Sequence, residues 1–97
     1  MSTDQNIHLE IDGKKGRYVL STDKGEAELT FSIASEKLWI ADHTGVPDAL
    51  RGTGAGARLA MRLVQDAIAS NRKIIPLCPF VNAERRKHPD WAAAFQT

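Results

Sequence analysis

Residues 50–69 read LRGTGAGARLAMRLVQDAIA, three glycines at alternate positions running straight into a segment with helical spacing. From Thr53 to about Ser70 the apolar residues Leu59, Ala60, Leu63, Val64, Ala67 and Ile68 recur every three or four positions, with Arg58, Arg62, Gln65 and Asp66 on the other side. That period predicts an amphipathic helix. A helix N-terminus presents unpaired backbone N–H groups and about half a positive charge from its dipole, so it favours an anion that can approach closely. Gly52, Gly54 and Gly56 remove the side chains that would prevent the approach, and one of them falls in the predicted first turn despite a cost of about 1 kcal/mol relative to alanine. With Arg51 beside them, the turn reads as a phosphate site.

The segments on either side set the fold class. Upstream, IHLEIDG alternates Ile7, Leu9 and Ile11 with polar residues and predicts a strand ending at Asp12-Gly13, followed after the turn GKKG by the strand RYVLST. EAELTFSI places Ala27, Leu29, Phe31 and Ile33 on one face, and KLWIADHTGV predicts a fourth strand with Leu38 and Ile40 on a shared face and the register of His43 and Thr44 open. Downstream, KIIPLCPF is one short apolar run, a strand over Lys73 to Cys78 in which Pro76 argues for an edge or a splay. Asn82 then serves as the expected cap of a short helix AERRK, and His88-Pro89 as the start of a last helix DWAAAF. Strand, helix and strand in that order make a parallel crossover. The expected fold is therefore α+β, with an antiparallel meander first, then a helix, a parallel strand and C-terminal helices.

Totals narrow the classes of function. A length of 97 residues accommodates one core, so one domain over residues 1–97 is expected, and 42 % hydrophobic with 26 % charged residues is ordinary for a globular protein. Thirteen Lys and Arg against twelve Asp and Glu leave a net charge of +1, which argues against nucleic-acid binding through bulk charge; RKIIP and ERRKH also lack interleaved aromatics. Arg58, Arg62 and Asp66 interrupt the longest apolar stretch, well short of the roughly 18 residues of a membrane span. The opening MSTDQNIHLEID has neither a basic nor an apolar leader region, and the one cysteine, Cys78, has no intramolecular disulfide partner, so a reducing cytoplasm is expected. His8, His43, His88 and Cys78 show no metal-ligand spacing, and no metal is expected.

Gly52-x-Gly54-x-x-Ala57 satisfies the dinucleotide fingerprint, but its surroundings do not. The preceding strand ends several residues too early, Ser70-Asn71-Arg72 stands where an acidic residue is needed, and too little chain follows for a full nucleotide-binding sheet. The phosphate-loop pattern also fails, since no Lys-Ser or Lys-Thr follows the glycines.

Arg51-x-x-Gly54-x-Gly56, after a strand ending HTGV and opening a helix, instead resembles the acetyl-CoA pyrophosphate loop of the GNAT N-acetyltransferases, whose pattern is Q/R-x-x-G-x-G/A. HTGVPDALRGTGAGARLA, KIIPLCPF and RKHPDW together resemble the minimal, single-domain branch of that superfamily, over about residues 38–91. The resemblance implies that the strands Leu38–Val46 and Lys73–Cys78 splay, with pantetheine of acetyl-CoA between them along a freed backbone edge that includes Thr44 and Val46. It implies that Arg51, Gly52, Thr53, Gly54, Ala55 and Gly56 wrap the pyrophosphate, the amides of Gly52, Gly54, Ala55 and Gly56 donating. Arg58, Arg85, Arg86 and Lys87 are candidates for the 3′-phosphate, although exposed basic residues on helices are commonplace.

Acetyl transfer to an amine needs a base, donors for the developing oxyanion and a proton for the departing thiolate. His43 lies near the end of the cofactor strand, and histidine is a residue type suited to general-base work, so it is the candidate base. Cys78, which the resemblance puts near the reactive end, would, if it is a nucleophile, carry the acetyl group as a thioester, with a neighbouring His43 helping to generate the thiolate. If it is not, transfer is direct, the family's usual course and the favoured one, since most of the superfamily manages without a cysteine. His88 reads as a capping residue, and Trp39 and Trp91 as core or cofactor-covering aromatics. The expected function is acetyl-CoA-dependent acetylation of a small-molecule amine or an exposed lysine, with no nucleic-acid or membrane partner and a monomer or weak homodimer. The rival is a CoA-binding sensor with little turnover.

Overall fold

The computed structural model describes residues 6–96, so the first five positions and Thr97 lie outside the description. Five strands form one sheet in the order of the chain: β1 (Ile7–Asp12), β2 (Lys15–Thr22), β3 (Gly25–Ser35), β4 (Leu38–Gly45) and β5 (Lys73–Pro76). The first three pairings are antiparallel and β4–β5 is parallel, as strand–helix–strand order requires. The β1–β2 loop is tighter than GKKG suggests: Asp12 pairs with Lys15, so only Gly13 and Lys14 turn, with Gly13 at φ 61°.

Between β4 and β5 the chain makes a 3₁₀ turn (Asp48–Leu50), the glycine turn, and helix α1 (Ala55–Ala69), which packs over β2 and β3. Leu59, Leu63 and Val64 from α1 meet Tyr18, Leu20, Leu29, Phe31 and Trp39 from the sheet, all buried. Each such side chain contributes about 2 kcal/mol by leaving water. Two details differ from the periodicity. Ile68 is 52 % exposed rather than core, and on β4 the buried pair is Trp39 and Ala41, not Leu38 and Ile40. α1 ends in a Schellman arrangement: Asn71, at φ 57°, donates to Ile68 O and Arg72 to Ala67 O.

β5 stops at Pro76, not Cys78, because the chain turns there into helix α2 (Pro79–Lys87). Pro79 occupies the first helical position and Cys78 the cap; Asn82 is inside the helix, its Oδ1 accepting from Arg85 Nε at 2.8 Å. The final segment, Pro89–Ala94, is a 3₁₀ helix, with Trp91 stacked on His88 at 3.9 Å. Phe95 then bridges Ile74, and Gln96 N donates to Ile74 O (2.9 Å), covering part of the outer edge of β5.

Candidate active site

The site begins with one extra residue in β4. Phe31 pairs with Ala41 but Thr30 pairs with His43, so Asp42 is a bulge. A bulge reverses the alternation of side chains beyond it. Trp39 and Ala41 face the core, as simple alternation requires, but past Asp42 it is Thr44, opposite buried Leu29, that faces α1, and His43, opposite Thr30, that faces outward.

The parallel seam opens at the same place. Its last paired residues are Ala41 and Pro76; beyond them Cys78 N donates to Ala41 O (2.9 Å), and Asp42 to Gly45 have no ladder partner on the β5 side. The two strands part because Pro76 and Pro79 bring no N–H to a ladder and the α2 turn carries the chain away. A cleft of about 480 Å³ follows, with Thr44 and Val46 on one wall, Gly52, Gly54, Ala55 and Gly56 at its floor and Phe80, Glu84 and Lys87 of α2 opposite.

The floor is made by backbone. Gly52 and Gly54 both adopt left-handed geometry, φ 80° and 82°, and Gly54 caps α1 without a side-chain hydrogen bond. No backbone hydrogen bond among the described residues takes the amides of Gly52, Gly54, Ala55 or Gly56. Leu50, buried, anchors the turn, and Thr53 steadies it by donating from Oγ1 to Leu50 O (2.5 Å), so Thr53 braces the loop and is not part of the cleft lining. Arg51 lines the cleft while its Nε sits 3.2 Å from Asp48, both side chains well exposed. Gly56 lies close against Phe80: a Cβ there would stand 2.7 Å from Cζ of that ring, which would have to shift.

Cys78 is buried behind Thr44, its Sγ 3.3 Å from Thr44 Oγ1, and is not among the cleft's lining residues. His43 is exposed on the opposite face of the sheet, near Gly45 and Glu28. The structure thus brings Thr44 and Cys78 together and keeps His43 apart from both. Glu84 is the buried carboxylate of the cleft, paired with Lys87 at 3.0 Å. Of the basic candidates, Lys87 lines the cleft; Arg58, Arg85 and Arg86 do not. Leu50, Phe80 and Glu84 line the cleft too, and no motif in the sequence marks them for it. Pro79 at the start of a helix was the available signal for Phe80 and Glu84, since it places them one turn apart on the same side of α2.

The family model for GCN5-related N-acetyltransferases matches residues 17–94. The chain belongs to that family. Among solved structures, it is similar to the NMR solution structure of a GCN5-like protein from Staphylococcus aureus, itself an N-acetyltransferase by inference, with 27 % identity, a TM-score of 0.70, and coverage of 96 % of this chain and 91 % of that one. No curated protein matches it in sequence. The mixed sheet with one parallel pair is the fold of the family. No helix among the described residues is long and apolar enough to cross a membrane, and no group of three or more His, Cys, Asp or Glu among them could hold a metal ion.

Proposed function

We propose that this GCN5-related chain is an acetyl-CoA-dependent N-acetyltransferase whose acceptor is a small-molecule amine or an exposed lysine. One observation carries the reading: a cleft at a strand splay whose floor consists of amides at a helix start that have no partner among the described residues, beside Gly52 and Gly54, where a Cβ would find open space. Such a floor fits a diphosphate, since the amides donate, the dipole favours negative charge and Arg51 and Lys87 add positive charge at the rim. The freed edge of β4 between Asp42 and Gly45 suits an extended amide chain such as pantetheine.

Acetyl-CoA, when bound, supplies the acyl group as a thioester. Thr44 lines the cleft and Cys78 stands behind it; with the Cys78 S–H donated to Thr44 Oγ1, the Thr44 hydroxyl proton is free to be donated into the cleft, where a departing thiolate needs one. His43 stands on the outer face one residue away; in this reading it would accept the proton of an amine arriving on that side of the strand opening. This arrangement favours direct transfer over a Cys78 thioester, because Cys78 is buried without His43 beside it. The same separation of His43 from Cys78 is the observation that favours the second reading, a CoA-binding sensor.

The test is incubation of the full chain with acetyl-CoA and a mixture of polyamines and lysine peptides, following thiol release and intact protein mass. Direct transfer predicts acceptor-dependent thiol release with unchanged protein mass, and a several-fold loss of turnover in Thr44→Val. A protein carrying an added acetyl group that disappears in Cys78→Ser would instead establish the thioester route. Tight binding without thiol release would leave the sensor.

A further inference from the structure

The two edges of the sheet are unlike. Part of the outer edge of β5 is covered by Phe95 and Gln96, but no strand among the described residues lies beside β1. Ser21 N donates to Asn6 O (3.1 Å), which fixes the phase of the β1–β2 ladder. Antiparallel pairs alternate, so His8, Glu10 and Asp12 bond inward to β2, and Ile7, Leu9 and Ile11 turn their N–H and C=O groups outward. Of these, Ile7 O accepts a 3.4 Å bond from Arg62; a carbonyl has a second lone pair. β1 has no lysine or proline and an unbroken register, so it lacks several of the devices that discourage edge pairing. Leu9 and Ile11 on its α1 side are 36 % and 54 % exposed.

We propose that β1 pairs antiparallel with β1 of a second copy of this chain, Leu9 opposite Leu9, joining two five-stranded sheets into one of ten. The register follows from two conditions. Outward-turned residues must oppose outward-turned residues, and the side chains on the polar face must be compatible. Centring on Leu9 meets both: Ile7 opposes Ile11 of the second copy, and His8, half-exposed like Glu10, opposes Glu10 of the second copy. The adjacent registers, centred on His8 or on Glu10, set like side chains against each other. On the other face, Leu9 and Ile11 are covered by their apolar counterparts. Because α1 packs over β2 and β3, strands about 4.8 Å apart would hold the two copies of α1 roughly 19 Å apart, clear of the 8–10 Å at which helices touch.

The proposal is independent of acetyl transfer and has its own readout. Sedimentation velocity over a concentration series of the full chain should show a monomer–dimer equilibrium. Leu9→Pro removes an outward N–H without touching the β1–β2 ladder and should raise the dimer Kd at least about tenfold, with an unchanged far-ultraviolet circular dichroism spectrum. Charge exchange reads the register and needs no single variant to decide it. His8→Glu and Glu10→Lys should each self-associate less than the wild type, yet their equimolar mixture should form a heterodimer. In that heterodimer the new carboxylate at position 8 of one copy faces the new ammonium at position 10 of the other, and the native His8–Glu10 pairing is kept once. A chain monomeric at its highest soluble concentration, a Leu9→Pro dimer of wild-type affinity, or a mixture that associates no better than its components overturns the proposal, and none of these outcomes bears on thiol release.

Discussion

A Cβ on Gly16 would stand 2.1 Å from Cζ of Phe31, whereas one on Gly54 would have nothing within 4 Å. Gly16 is buried in β2 directly across from Phe31, whose ring stacks on Trp39 at 4.4 Å and leans on Tyr18 at 5.5 Å. Its missing side chain is filled by the protein itself. Gly54 sits at φ 82° above an open cleft, and its missing side chain leaves room for something else. The pair separates two situations of one residue type, one filled by core packing and one open to the cleft, and if the cleft takes CoA as proposed, mutations at the two places should fail in different assays.

The largest effect is expected at Gly16. Phe31 is fully buried between two aromatic neighbours, so Gly16→Ala must displace a ring that has nowhere to go. Overpacking of this kind should lower stability by roughly 2–3 kcal/mol, read from the urea midpoint. CoA affinity of whatever fraction remains folded should be unchanged. A Gly16→Ala protein as stable as the wild type would mean that the Phe31 ring is held less tightly than its stacking distances imply.

Gly54 should show the reverse. Gly54→Val introduces a β-branched residue at positive φ, so part of its effect is backbone strain, roughly 1–2 kcal/mol of stability. Asparagine tolerates the left-handed region, so Gly54→Asn should fold with little loss yet bind CoA at least about tenfold more weakly, its side chain occupying the place of the diphosphate. Titration calorimetry beside a thermal melt separates the two. Equal affinity in a folded Gly54→Asn protein would remove the assignment of the floor.

That contrast also shows why the sequence is legible where it is. α1 is readable to within two residues at either end, 53–70 against Ala55–Ala69, because a packed amphipathic face imposes a period that no local detail disturbs. The strand order follows from alternation and the parallel seam from the intervening helix. The site itself depends on a bulge, and Asp42 carries no signature of one: simple alternation continued from Trp39 and Ala41 would put His43 on the core face and Thr44 outside, the reverse of the structure. Likewise Cys78 is no preferred helix cap, so the strand reads on to Cys78 and Phe80 as part of the same apolar run, although Phe80 is a wall of the cleft. Gly16 reads as part of a turn, since nothing local marks a glycine whose partner is fifteen residues away.

A smaller effect lies at Tyr18, the chain's one tyrosine, which donates to Asp66 Oδ2 at 2.6 Å while Arg62 holds the same oxygen at 3.1 Å. Burial pushes the Tyr18 hydroxyl well above the ordinary phenol range, and its hydrogen bond to Asp66 adds to the rise. A folded-state pKa above the unfolded one means that this contribution is complete below about pH 10 and is lost progressively above it, at up to about 1.4 kcal/mol per pH unit. Tyr18→Phe should cost about 1 kcal/mol at neutral pH and flatten the alkaline decline. Wild type and Tyr18→Phe losing stability in parallel above pH 10 would assign the decline to other groups.

The smallest effect tests whether charge or backbone holds the anion. Arg51 and Asp48 are three residues apart with side chains 74 % and 94 % exposed, so Arg51→Ala should change stability by less than about 0.5 kcal/mol. If the amides at the start of α1 supply most of the grip, Arg51→Ala should weaken CoA binding only several-fold, less than Gly54→Asn, and make its salt dependence shallower because one exposed cation no longer contributes. A larger loss than at Gly54 would reverse the ranking, making the glycine turn a hinge for presenting Arg51. The comparison of affinities at two salt concentrations decides it, since donation from backbone amides inside a cleft is screened far less than attraction to a side chain in open solvent.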